Sequence, residues 1–600
     1  MGASNSIPGP DQREIRYRRL IDLGIALSAE RNHERLMELI LKGAKDLTNA
    51  DGGTLYLHVP EAKALSFAIV LNDTLKIALG GTTGRPIPFP PLKLFDAEGN
   101  PNRKNVSTEA ALTGHTVTID DAYDTETFDF SGTKAFDANT GYRSKSFLTV
   151  PLKNRAGDVV GVLQLINART TEGEVIPFPA ETTDLVEALA SQAAVALDNQ
   201  MLLDQQKKLF TALIEVIASA IDAKSPYTGG HCRRVPALTT MLTRAATEAT
   251  HGIFADFDLT EDEWYELEVA GGLHDCGKVT TPEYVVDKAT KLETIYNRLH
   301  EIRTRFEVVK RDAEIAYWKG VAEGGDKERL AAERDARLAQ LDADFAFVAE
   351  CNVGGEFMAP ERVERLNKIA ETTWLRTIDD TLGLSWEEAQ RKPKEKPVLP
   401  ALEHLLADKT EHVIAHDKPA MTPDNPWGFK IRQPAQKFNL GEVYNLSIAR
   451  GTLTAEDRYH INDHIVQTII MLEGLPFPKN LKRVPEWAGG HHEKLDGTGY
   501  PKGLRKEEMS IPARAMAIAD IFEALTARDR PYKTPKKLSE CIKILSFMKR
   551  DQHIDPDIFD LFLTSGVYKD YAVQFLQPDQ IDEVDISQYV TAPGAAAPRP

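Results

Sequence analysis

The stretch from His491 to Pro501 reads HHEKLDGTGYP. Two adjacent imidazoles and an acidic residue lead into a turn built on Gly497 and Gly499, where the backbone must bend tightly. Upstream lies LHDCGK, with His274, Asp275 and Lys278. Downstream lies ADIFEALTARDRPYK, with Asp520, Arg530 and Lys533. Imidazole and carboxylate are the ligands that suit a transition metal such as iron, manganese or zinc. Lysine and arginine beside such ligands suit an anion whose charge grows during a reaction.

Length and composition bound what this constellation can serve. At 600 residues the chain is too long for one core, and two to four domains are expected. The 42% hydrophobic and 27% charged content is that of a globular protein. A net charge of −18 argues against a general binder of nucleic-acid polymers or of anionic membranes. An anionic small substrate stays compatible, because a bound metal sets the local field. The four cysteines show no CxxC spacing and fit a reducing compartment, so a cytoplasmic location is expected. No apolar run approaches the roughly 18 residues of a membrane helix, and no signal segment opens the chain. The opening MGASNS matches an acylation pattern at Gly2 and Ser6, but so short a match recurs by chance, and a loose tail over residues 1–15 is expected instead.

From Arg16 to about Asn49 the apolar spacing is helical. A turn signal at Asp51-Gly52-Gly53 precedes TLYLHV, which alternates as a strand. Residues 80–105, rich in Gly and Pro, read as loop. FLTVPLKNRAGDVVGVLQLIN reads as a hairpin turning at Asn154–Asp158. A closing helix follows. This succession, and GYRSKSFLTVPLKN with GDVVGVLQLIN in particular, resembles a GAF domain over residues 16–200, most similar to those of cyclic-nucleotide phosphodiesterases. The resemblance implies an α+β sensor with an antiparallel sheet and flanking helices. Asn167 and Phe178 of the cyclic-nucleotide signature are present, but Ala168 replaces its lysine and no Asp-Glu pair follows. Dimerisation or another small-molecule ligand is therefore at least as well supported as cyclic-nucleotide binding.

Residues 185–222 form one helical stretch without Gly or Pro, carrying an apolar stripe through Leu189, Leu197, Leu203, Leu209, Leu213 and Ile217. It reads as a coiled-coil relay in a homodimer, with a helix packed on its own domain as the alternative.

GGHCRRV, LHDCGK, LTAEDRYHINDH, HHEKLDGTGYP, AIADIFEALT and RPYK together resemble the HD-GYP domains, metal-dependent phosphodiesterases of cyclic dinucleotides. The resemblance implies a bacterial-type signalling enzyme with an all-α HD-GYP domain over residues 205–590. It implies two divalent metal ions, iron or manganese foremost, held by His231, His274, Asp275, His464, His491, His492 and Asp520. Asp275 would bridge the pair, and the pair would activate a water for in-line attack on phosphorus. Lys278, one helical turn after Asp275, would act in catalysis and, with Arg530 and Lys533, hold substrate phosphate. Gly499, Tyr500 and Pro501 would shape the pocket rim or a docking surface for a protein partner. Relatives with a third metal carry a Glu where this chain has Tyr227, so two ions are expected. The implied reaction opens cyclic di-GMP to pGpG and possibly onward to GMP. Hydrolysis of 3′,3′-cGAMP and a non-hydrolysing receptor or docking role are the rivals.

The family pattern stops near Glu293 and resumes at Gly451, so residues from about 293 to 450 read as an insertion. Its first part, from Arg303 to about Ala370, is charged and helical, broken by Gly324-Gly325 and Gly354-Gly355. Its second part, about 380–450, is less regular. The domain with its insertion is expected to be mostly helical. A solvated arm is expected of the insertion, with partner binding as the alternative. In the family phrase that ends in a ligand, a Leu stands eleven positions earlier, as Leu453 does before His464. His300, His404, His412, His416, His460 and His553 lack such flanks and read as core or surface histidines, even though His416-Asp417 spells a second HD pair. Residues 591–600 are expected to be a disordered tail.

Overall fold

The computed structural model describes residues 10–224, 230–355, 357–395, 398–422, 424–528 and 535–590. The terminal tails before residue 10 and after 590, and Tyr227, Arg530 and Lys533, lie outside the described residues. The chain forms two units, Met1–Phe210 and Thr211–Pro600.

In the first unit, helices α1 (Pro10–Ala29) and α2 (His33–Thr48) precede strands β1 (Ala50–Val59), β2 (Ala64–Asn72), β3 (Ile77–Gly80) and the short β4 (Leu92–Lys93). Helix α3 (Val106–Thr113), β5 (Val117–Ile119) and α4 (Ser131–Thr140) follow, then the hairpin β6 (Phe147–Lys153) and β7 (Val159–Arg169), β8 (Val175–Ile176) and helix α5 (Ala180–Lys224). The main strand order is β3-β2-β1-β7-β6-β5, antiparallel throughout. The hairpin turns as expected, with Asn154 N–H donating to Asp158 O at 2.9 Å. Leu36, Ile40 and Leu41 of α2 and Leu189, Ala193 and Leu197 of α5 bury one sheet face against Leu55, Leu163 and Leu165.

Two expectations are corrected here. α1 starts at Pro10, so residues 10–15 are helix and not loose tail. Asp51-Gly52-Gly53 lies inside β1 and not in a turn. The glycines answer crowding: a Cβ on Gly53 would meet Gln164 O at 2.9 Å and Leu41 at 2.8 Å.

In the second unit, α6 (His231–Glu248) and α7 (Glu261–Leu273) follow the end of α5, and α8 (Glu283–Val286) leads to the insertion. α9 (Leu299–Ala322) and α10 (Lys327–Val353) form a helical hairpin that reverses at Gly324-Gly325, and α11 (Pro360–Ala370) closes its base. The remainder of the insertion is less regular, as expected, and adds short strands to the mostly helical whole. It contains β9 (Thr373–Arg376) paired with β10 (Ala401–His404), β11 (Val413–Ile414) paired with β12 (Phe438–Asn439), and the short helices α12 (Trp386–Arg391) and α13 (Glu442–Leu446). Prolines and short apolar runs there support no longer helix. The insertion is fastened at its root. Lys288 Nζ donates to Asp457 at 2.7 Å, and buried Lys291 donates to Leu446 O and Ile448 O. Helices α14 (Ala455–Glu473), α15 (Val484–Gly489), α16 (Ile511–Thr526), α17 (Leu538–Arg550), α18 (Pro556–Thr564) and α19 (Val567–Phe575) complete the unit. Phe522, Phe559, Phe562 and Tyr571 anchor its core.

Candidate metal centre

Five chain segments aim polar side chains at one buried place. Helix α6 opens with His231 directly after Gly230, whose φ of 87° and whose N–H bond to Asp222 Oδ2 (3.0 Å) turn the chain into the helix. α7 starts on a Thr260–Glu263 capping box and ends at Leu273. His274 and Asp275 therefore stand just beyond the helix, at the junction with a 3-10 turn, Cys276–Thr280. The reason is Gly277. Its N–H leaves the helical ladder to donate to Thr468 Oγ1 of α14 (2.9 Å), and a Cβ there would lie 1.9 Å from His464 O. That close approach brings the HD turn against the helix that carries His464. α15 ends just before His491 and His492, and α16 presents Asp520 and, one turn on, Glu523.

His231, His274, Asp275 and Asp520 form one group, and His464, His491 and His492 a second; within each, the potential ligand atoms lie within 4.8 Å of one another. Asp275 faces both. Its Oδ2 lies 3.0 Å from His231 Nε2 and 3.2 Å from His274 Nε2, and its Oδ1 lies 3.2 Å from His464 Nε2. Asp520 Oδ1 is 3.2 Å from His231 Nε2.

The imidazoles are oriented by what their other nitrogens touch. His274 Nδ1 donates to Gly271 O (2.7 Å), His491 Nδ1 to Ala488 O (2.6 Å), and His464 Nδ1 to Ile461 O. His231 Nδ1 donates to Glu523 Oε2 at 2.5 Å. These bonds leave Nε2 lone pairs directed inward. His274 Nε2, His491 Nε2 and Asp275 Oδ1 are buried without a hydrogen-bond partner. His464 Nε2 and His492 Nε2 face each other at 3.2 Å. Lone pairs gathered against lone pairs in a dry site repel unless a cation lies among them, so the donor set fits metal ions.

The electrostatics of the second group agree, whereas in the first group burial is outweighed at His231 by Asp275, Asp520 and Glu523, which raise it well above the usual imidazole range. Burial, reinforced by His274, pushes His491 down to about 4, so its imidazole is neutral and free to ligate. Burial and the neighbouring His491 and His464 hold His492 well below the usual imidazole range. Burial opposes the charge on Asp275, but Lys278 and His274 outweigh it and hold its carboxyl well below the carboxylate range. Asp520 is held low in the same way against burial, chiefly by His231. Lys278 Nζ sits 2.5 Å from Asp275 Oδ2, and Asp275 and Asp520 raise its pKa against the effect of burial.

All seven expected ligand positions lie in these two groups, with Lys278 beside them. Tyr500 stacks on His492 at 4.9 Å and 19°. Gly499 is required sterically, since a Cβ would lie 2.3 Å from Lys494 N. The six other histidines named above are not in either group. His416 Nε2, for example, bonds Pro434 O, and His460 Nε2 bonds Lys437 O. Two residues that matter escaped the sequence reading. Glu523 receives His231 and also Arg234 Nε at 2.7 Å. Buried Glu493 accepts from Lys502 N (2.6 Å), Gly503 N (3.1 Å) and Leu504 N (2.9 Å), which closes the Gly499–Pro501 loop. Both stand in the quoted motifs, and an acidic residue next to a ligand segment is the signal that could have marked them.

Comparison with known proteins adds the following. The GAF domain family model matches residues 32–197, and the HD domain model matches residues 400–558. The HD match begins inside the expected insertion and takes in His464, His491, His492 and Asp520. A 3′3′-cGAMP-specific phosphodiesterase 1 of Vibrio cholerae serotype O1 is 44% identical over 83 residues, 14% of this chain and 19% of that protein. The 3′3′-cGAMP-specific phosphodiesterase 3 of the same organism is 40% identical over 152 residues, 24% of this chain and 31% of the relative. A probable cyclic di-GMP phosphodiesterase, also from that organism, is 46% identical over 129 residues, 21% of this chain and 29% of the relative. In each, less than a third of the relative's length is matched. No helix among the described residues is long and apolar enough to cross a membrane. The chain thus joins a GAF domain to a helical domain of the HD family.

Proposed function

We propose that this chain is a metal-dependent phosphodiesterase of the HD-GYP type that opens cyclic di-GMP to pGpG under control of its GAF domain. The observation that carries the reading is Asp275, whose two oxygens face two separate imidazole groups at 3.0–3.2 Å. A carboxylate so placed suits a bridge between two cations. In this reading His231, His274 and Asp520 hold one ion and His464, His491 and His492 the other, iron or manganese foremost. Bound ions would polarise phosphodiester oxygens and lower the pKa of water. The chain's own groups do the rest. Backbone carbonyls fix His274, His464 and His491, Glu523 fixes His231 and the Tyr500 ring stacks on His492, so that substrate binding needs no reorientation. Lys278, kept cationic by Asp275 and Asp520, offers its Nζ protons to a phosphate oxygen or the leaving alkoxide. Arg530 and Lys533 enter as phosphate contacts on the RPYK resemblance alone.

The test is metal analysis with turnover of cyclic di-GMP for the wild type and Asp275→Ala. Loss of metal and activity together is expected, and full activity in the variant would refute the assignment. Relatives named for 3′3′-cGAMP favour a second reading in which that dinucleotide is the substrate. Hydrolysis of both dinucleotides by one preparation decides between them. Metal-loaded protein that binds but cleaves neither would make the chain a receptor or docking protein.

The same proposal includes a homodimer joined through the GAF unit and α5, on which Leu202, Leu209, Leu213 and Val216 are exposed at near-heptad spacing. It includes a small-molecule ligand for the GAF cavity of about 390 Å³, lined by Tyr56, Phe67, Phe89, Phe130, Tyr142 and Phe147. No described Lys or Arg lines that cavity while Asp129 does, which disfavours an anionic cyclic nucleotide. The Gly499–Pro501 loop or the insertion would receive any protein partner. Four buried free cysteines support a reducing, cytoplasmic setting.

A further inference from the structure

The insertion was expected to be a solvated arm. Its hairpin α9–α10 is largely exposed along its outer faces, Trp318 at 59% among them. Its return limb behaves differently. Asn425 locks a tight loop by accepting from Phe429 N (2.9 Å) and donating to Phe429 O (2.9 Å). That loop stacks Trp427 on Phe429 at 5.8 Å and 8°. Phe429, only 5% exposed, is pressed into Val466 and Ile469 of α14, with Ile431 and Ile470 packed alongside. Val466 and Ile469 are the second and fifth residues after His464 on the same helix. One residue on, Lys430 N–H donates to Pro501 O at 2.7 Å. From the other side, Lys502 Nζ lies 5.9 Å over the Phe429 ring. Further along, Lys437 O accepts from His460 Nε2 (3.0 Å), and Phe438 stacks on the His460 ring at 4.5 Å, again on α14.

The limb therefore touches two supports of the second imidazole group and joins them. One support is α14, which carries His464. The other is the loop at Tyr500–Pro501, whose Tyr500 stacks on His492 and whose N–H bonds His492 O at 3.2 Å. The contacts above reach neither α6 nor α16, which bring His231 and Asp520 to the first group. We propose that residues 425–438 of the insertion are a positioning element of the metal centre: they strap the Tyr500–Pro501 loop to α14 and so hold His464 and His492 at ligating distance. Phe429 and Lys430 are positioning residues in this arrangement, because neither touches the site itself. The inference rests on the two-ion reading above.

The experiment compares wild type, Phe429→Ala, Phe429→Tyr and Trp318→Ala in two measurements. One is ions bound per chain after manganese reconstitution. The other is amide hydrogen exchange of Lys502, Gly503 and Leu504 in metal-free protein. Phe429→Ala is expected to drop from two ions to one, keeping the ion of the His231 group. Its loop amides should exchange about tenfold faster, the scale of one lost hydrogen bond. Phe429→Tyr, which keeps the ring, and Trp318→Ala, which lies on the far hairpin, should match wild type in both. If Phe429→Ala fails to fold, Lys430→Pro removes the N–H given to Pro501 while sparing the core side chains, and is read in the same way. A folded variant with two ions and wild-type exchange overturns the proposal. Wild type that binds no ion would sink the phosphodiesterase reading instead, while the exchange comparison would still decide the strap.

Discussion

Glu523 offers the sharpest test of how the centre is built. Its carboxylate accepts from His231 Nδ1 at 2.5 Å and from Arg234 Nε at 2.7 Å, and its side chain is 2% exposed. Burial opposes its charge, yet His231 and Arg234 keep it ionised. Replacing Glu523 by Ala leaves the His231 ring without the acceptor that selects its tautomer and aims Nε2 at Asp275 and Asp520. Losing such an outer partner costs about 10–100-fold in metal affinity. A buried hydrogen bond to a charged group is worth about 1.5–3 kcal/mol, which covers the same span. Calorimetric titration of metal-free protein with manganese should therefore show weakening of about 10–100-fold at one of the two proposed sites. Glu523→Gln keeps an acceptor but not the charge, so its loss should be smaller. Thermal melts must run alongside to show that the variants fold. Affinity within about twofold of wild type for folded Glu523→Ala, well under the usual outer-partner effect, would refute the idea that the carboxylate aims the ring.

Asp520→Ala should lose the ion of the His231 group and keep the other, giving one ion per chain by elemental analysis. Gly277→Ala puts a methyl 1.9 Å from His464 O and 2.6 Å from Thr468 N. Backbone cannot yield cheaply there, so a loss of about 1–3 kcal/mol in denaturant unfolding and reduced metal content are expected. Burial lowers the pKa of His460, which stacks on Phe438. The unfolded chain then binds the extra proton first, so stability falls as pH drops through the unfolded value of about 6.5. In metal-free protein His460→Gln should flatten the slope of unfolding free energy between about pH 7 and 5. An unchanged slope would show that the ring titrates normally.

Much of the centre was legible because each ligand sits in a phrase whose flanks also have work to do. Gly277 next to the HD pair admits α14, and Gly499 clears Lys494 N, so ligand and neighbour are read together. Leu453, eleven positions before His464, set that histidine apart from His300, and in the structure Thr454 and Asp457 cap the helix that carries it. Glu523 was on view, but only its place beside a ligand segment hinted at a role, and its partner ring lies 292 residues away. The misread Asp51-Gly52-Gly53 shows why glycine is ambiguous: it marks a turn or a close approach, and only the neighbours distinguish them. Strand β2, ALSFAIVLN, went unread because its apolar residues follow no strict alternation. The docked limb of the insertion escaped for a related reason. Its anchors are a single phenylalanine and a main-chain N–H, and neither leaves a periodic trace.

The long detour between the two halves of the centre also shapes how the protein is made. His231 meets Glu523 across 292 residues and Gly277 meets Thr468 across 191, whereas α9 and α10 pair through neighbouring sequence. Contacts so remote close last on a folding chain. A nascent chain that has not yet emitted α16 lacks Asp520, and a cation caught early by His231, His274 and Asp275 would miss the fourth member of its group. On the proposed reading, tight metal retention would mark a chain synthesised at least through α16.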